Sequence, residues 1–176
     1  MKTNLIPLVC FVLLSAFADA QSTPRTPMLA DRIRMIQVNH ALLEDLLDHG
    51  IRLSDTDTHL GRAAECRKAL VTIGGEVNRT VEQPAADLDR LSELADQMTQ
   101  LTTEGLLPTL EAARAQIRAG SPGAEKLAKI ETQTSDDLQT LLTGLTLDPR
   151  LNRSETLRIA LDRLRSTLPS VKPVEK

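Results

Sequence analysis

Apolar residues recur along this chain at alternating three- and four-residue steps, the period of one face of an α-helix. Leu29, Ile33, Ile36, His40, Leu43 and Leu47 form the first series, and Met35, Leu42 and Leu46 widen it. Gly50 is a candidate C′ residue, although the helix can continue to Leu53 at a cost of about 1 kcal/mol for an internal glycine. Ser54 to Thr58 is a turn of cap-forming side chains; Ser54 and Asp57 have capping-box spacing, and Asp57 is itself a candidate N-cap.

A second series follows at Ala63, Cys66, Leu70, Ile73, Val77 and Val81. Gly74-Gly75 sits inside it. The pair reads either as a weak point or as a place where two helices approach closely, and the unbroken period favours a continuous or kinked helix. Pro84 suits a first helical position. Leu88, Leu91, Ala95, Met98 and Leu101, with Leu94 beside them, make a third seam. Gly105 and Pro108 predict a kink or break before it resumes through Leu110, Ala113 and Ile117. Gly120-Ser121-Pro122-Gly123 is a stop signal. The fourth helix carries Leu127, Ile130, Thr134, Leu138, Leu141 and Leu145. Asp148-Pro149 marks the next turn. The fifth carries Leu157, Leu161, Leu164 and Leu168 and ends at Pro169.

No segment shows a strong strand alternation. Short connections between one-sided helices favour antiparallel neighbours. The expected fold is therefore all-α: an antiparallel bundle of four to five helices, the third kinked or broken near Gly105-Pro108.

The first residues follow a different pattern. Lys2 supplies a positive start, Leu5 to Ala18 is apolar apart from Pro7 and Ser15, and Ala18-Asp19-Ala20 is a small-x-small cleavage site. The apolar run is shorter than the roughly 20 residues of a spanning helix. Residues 1–20 are therefore expected to be a signal peptide, 21–27 a flexible linker, 28–168 the bundle and 169–176 a polar tail. The expected location is the periplasm or the extracellular space, with no membrane span after cleavage.

Composition sharpens this reading. The only aromatic residues are Phe11 and Phe17, so the bundle core must be Leu, Ile, Val, Met and Ala. Stacking platforms for sugars or bases are missing after residue 20. A net charge of −3 with interspersed signs gives no nucleic-acid footprint. Cys10 falls in the signal segment, which leaves Cys66 without an internal disulfide partner. Its place on an apolar face predicts a buried thiol, the alternative being a bridge to another chain.

Candidate chemistry is sparse. Signatures such as HExxH, CxxC, GxSxG and the glycine-rich phosphate loops are absent. His40 occupies a seam position, with Glu44 one turn on. A His–carboxylate pair inside a bundle is a starting point for a metal site, but partners from other helices would be needed. Asp55, Asp57 and His59 alternate as in a calcium loop, yet Leu60 stands where that loop needs Gly and Cys66 where it needs Glu. Helix capping accounts for them. Asn78-Arg-Thr80 and Asn152-Arg-Ser154 match the glycosylation sequon.

The stretch from Arg32 to Leu70, containing NHALLEDLLDHGIRLSDTD and LGRAAECRKAL, resembles an uncharacterised family of exported helical proteins of planctomycete-type bacteria, as do DLDRLSELADQM and EGLLPTLEAARAQIRAGS. The resemblance implies an exported bacterial setting and carries no activity. The expected protein is a non-enzymatic bundle without a cofactor, binding an unidentified protein or itself in the cell envelope. The alternative is a small-ligand or metal-binding bundle centred near His40 and Glu44.

Overall fold

A computed structural model describes residues 29–168, with side chains from Gln37 onward apart from Val38. The expected signal segment, linker, tail and Pro169 lie outside the described residues, as do the side chains of Leu29, Ile33, Met35 and Ile36. Every regular element among the described residues is helical. The order is α1 (Leu29–Asp55), α2 (His59–Glu82), α3 (Leu88–Gln100), a π turn (Leu101–Leu106), α4 (Leu107–Gln116), α5 (Pro122–Leu147), a 3₁₀ turn (Leu151–Arg153) and α6 (Glu155–Ser166). With α3, the π turn and α4 taken as one run, this is the five-helix bundle that the apolar periods predict.

The helix starts are chosen by side-chain caps. Thr58 Oγ1 accepts the Gly61 amide at 3.1 Å. Asp87 Oδ1 accepts the Arg90 amide at 3.0 Å. Ser121 and Ser154 cap α5 and α6 in the same way. Each satisfies an amide that the first turn cannot pair internally. Two expected starts are thereby corrected. Thr58, not Ser54 or Asp57, caps α2, and α3 begins at Leu88 behind its Asp87 cap and not at Pro84. Gly50 does not end α1, which runs on to Asp55. Gly74-Gly75 does not interrupt α2.

The irregularity expected near Gly105-Pro108 is the π turn. The Leu107 amide donates to the Thr102 carbonyl, five residues back. In a regular α-helix the Pro108 ring would clash with the carbonyl four residues earlier. The wider turn relieves that clash while Gln100, Leu101, Leu106 and Leu107 all remain in the right-handed helical region. Thr102, fully buried there, donates its hydroxyl to the Met98 carbonyl at 2.7 Å, so its side chain is not left orphaned.

Helix α2 is the hub: it packs on α1, α3, the π turn, α4 and α5. Helix α6 closes the opposite side, chiefly against α3. The core comprises Ala63, Cys66, Leu70, Ile73 and Val77 of α2, Leu91, Leu94 and Met98 of α3, and Leu157, Ala160 and Leu164 of α6. Burying each leucine contributes roughly 1.5–3 kcal/mol. The expected α2, α3 and α6 seams are all found. In α5 the inward residue is Leu142, with Leu141 half-exposed beside it. The loop after α5 is tied to the bundle by Arg150, which binds Asp148 and donates to the Val81 carbonyl at the end of α2, a favourable place for a cation.

Candidate functional site: the outer face of helix α1

Helix α1 is attached by one side. Its main contact is α2, and Leu42 is its buried anchor, with Leu46 and Leu53 packed partly against the core. This places the inward stripe at Leu42, Leu46, His49 and Leu53. The expected seam of His40, Leu43 and Leu47 is therefore misregistered by one position. Leu43, Leu47 and Ile51 instead point outward, 41%, 59% and 52% exposed. They stand at four-residue spacing and so form one ridge along the helix.

His40 and Glu44 belong to that outer face. His40 Nδ1 lies 3.3 Å from the Glu44 carboxylate, with the two side chains 64% and 69% exposed. The pair predicted from spacing is thus real, but it is a surface pair and not an interior one. No group of three or more His, Cys, Asp or Glu side chains is placed to hold a metal among the described residues. Asp48 and Arg52, one turn further along, pair at 3.7 Å.

The histidine that the bundle does enclose is His49. Its Nδ1 is 3.4 Å from Glu65 Oε2 and its Nε2 is 3.2 Å from Thr72 Oγ1, both on α2. The tautomer protonated at Nδ1 donates to Glu65 and accepts from Thr72. Lys68 Nζ donates to the other Glu65 oxygen at 2.6 Å. The Lys68 hydrogen bond, helped by His49, holds the Glu65 carboxyl below its ordinary range despite burial. The cluster joins α1 to α2, and Arg90 of α3 adds a hydrogen bond to Asn39. Both ring nitrogens of His49 and both carboxylate oxygens of Glu65 already face partners, so the chemistry of the cluster is that of a fastening. Sequence reasoning missed His49 because it lies off the assumed seam; its spacing of seven from Leu42 was the available signal.

A groove of about 600 Å³ runs between α2 and α5. Gly74, Gly75 and Gly144 line it, and Arg67 pairs with Asp137 at 2.7 Å beside it. A Cβ on Gly75 or Gly144 would meet nothing within 4 Å. The glycines therefore leave space between helices and do not mark a close approach.

Cys66 is buried and free, and burial pushes its thiol up to about 11, which makes it a poor nucleophile. Asp55 and Asp57 are exposed and His59 is half-exposed at the start of α2, where Thr58 does the capping. Asn78 and Asn152 of the two sequons are both exposed. No helix among the described residues is long and apolar enough to cross a membrane. No protein family, curated protein or solved structure matches this chain.

Proposed function

We propose that this protein is a non-enzymatic helical module of the cell envelope that works by binding protein through the outer face of α1. One observation carries the reading: Leu43, Leu47 and Ile51 form a continuous exposed apolar ridge on a helix held to the bundle by its opposite side. Scattered exposed leucines are ordinary; an aligned series presented on one helix face suits recognition by another helix. Among the described residues, the periods that built the bundle therefore leave this apolar stripe uncovered. The export signals at Lys2, Leu5–Ala18 and Ala18-Asp19-Ala20 support the envelope setting.

The test places a photo-reactive amino acid at Leu47 in cells that export the protein, with the same residue at exposed Ala115 of α4 as control. Discrete adducts from position 47 and none from 115 are the expected result. Absence of adducts at 47, or equal labelling at both positions, would overturn the proposal.

A further inference from the structure

The ridge carries a charge pattern that points to its occupant. Around the helix, the exposed ionisable residues bordering Leu43, Leu47 and Ile51 are His40, Glu44, Asp48, Arg52 and Asp55. In an antiparallel pair of identical helices, residues equally far from the crossing point face each other. With Leu47 at the crossing, Leu43 faces Ile51 of the second copy and Leu47 faces its own counterpart. Glu44 then lies within one helical turn of Arg52 of the second copy, and His40 lies beside its Asp55. The twofold axis repeats each pairing. A parallel arrangement would put the charged rows of the two copies on opposite flanks of the seam, where these rim pairs do not form.

We infer that the occupant of the α1 ridge is a second copy of this chain, docked antiparallel about Leu47. The inference rests on the proposed role of this face and names its partner. Ridges at four-residue spacing interlock with each other at a crossing angle of about −50°, which brings the three apolar positions together and leaves the charged borders at the rim. Asp48 is the charged residue that meets its own kind, and Arg52 of the same helix, 3.7 Å away, partly offsets that repulsion. Three half-exposed apolar side chains per copy make an interface below the usual area for a permanent complex, so the dimer is reversible and concentration-dependent.

Sedimentation of the purified mature chain over a wide concentration range tests this. A monomer–dimer equilibrium is expected. Leu47→Glu should leave the helical circular dichroism unchanged and abolish the dimer. Glu44→Arg and Arg52→Glu should each weaken dimerisation roughly tenfold, since each removes two rim pairs. The Glu44→Arg/Arg52→Glu double variant should restore it. A chain monomeric at every concentration, a dimer indifferent to Leu47→Glu, or failure of the double variant to recover would overturn the inference. The Leu47 adducts separate this failure from that of the wider reading. An adduct of mass other than twice the chain, with a monomeric purified protein, sinks self-pairing alone; no adduct at all sinks both.

Discussion

Alanine substitution at the glycines should produce effects of both signs, set by the space around each. At Gly75 and Gly144 an added Cβ meets nothing within 4 Å, and both have ordinary negative φ. Each lies inside a helix, where Gly is about 0.8–1.0 kcal/mol less favourable than Ala. Gly75→Ala and Gly144→Ala should each therefore stabilise by about 1 kcal/mol, raising the melting temperature by roughly 2–4 °C in a domain of this size. At Gly61 the same change drives a Cβ into the Thr56 methyl and to 2.9 Å from the capping Thr58 hydroxyl. There the overpacking outweighs propensity, with an expected loss of about 1–3 kcal/mol. Gly105→Ala falls between, because its Cβ would sit 3.1 Å from Leu101 Cδ1 and 3.4 Å from Cys66 Sγ. Gly120, at φ +75°, should lose about 1–2 kcal/mol. Denaturant unfolding tracked by far-ultraviolet circular dichroism gives all five values; the chain has no Trp or Tyr for fluorescence. Equal effects at Gly75 and Gly61, or destabilisation at Gly144, would refute the reasoning that the α2–α5 groove is open.

Four polar groups yield further expected outcomes. The buried Cys66 thiol, raised to about 11, should react with thiol reagents slowly in the native state and quickly in denaturant. Because its folded value is raised, its stabilising contribution is complete below the unfolded value and disappears as pH climbs towards 11; Cys66→Ala should flatten that alkaline slope in urea midpoints. Glu65 is shifted the other way, so its contribution holds above the ordinary carboxylate range and is lost as pH falls through its lowered value, and Glu65→Gln should remove this acid-side slope. His49→Ala deletes the α1–α2 fastening, with an expected cost of about 1–3 kcal/mol and faster hydrogen exchange in α1 than in α2. His40→Leu, by contrast, alters an exposed position and should move monomer stability by no more than about 0.5 kcal/mol.

Most of the fold was legible in the sequence because α2, α3 and α6 each carry one apolar stripe and little else. Helix α1 was not, for a definite reason. Its Ala-Leu-Leu-Glu-Asp-Leu-Leu run contains two parallel ridges, Leu42/Leu46 and Leu43/Leu47, of equal apolarity. Periodicity alone cannot say which one meets α2. The polar partners decide: His49 continues the first ridge and meets Glu65 and Thr72, whereas His40 borders the second and meets Glu44 of its own helix. The same limit governs the helix starts. Pro84 fits a first turn locally, but Asp87 offers a side-chain acceptor to the Arg90 amide and takes the cap. Gly74-Gly75 was ambiguous because glycine permits close contact without requiring it.

The π turn bears on how this chain can change length. Core positions run Met98, Thr102, Leu106, Leu110 and Ala113, intervals of four, four, four and three. Remove one residue between Thr102 and Leu106 and the intervals become four, three, four and three, the regular heptad rhythm. The run from α3 to α4 is thus a heptad helix carrying one surplus residue, stored next to Pro108. A single-residue deletion here would keep every downstream side chain in phase, whereas one elsewhere in α3 would rotate all later side chains by about 100°. It would also tighten the turn against the proline ring. The surplus residue and Pro108 are therefore a matched pair, expected to be gained or lost together, and deleting Thr103 should be tolerated best when Pro108 is replaced by alanine in the same chain.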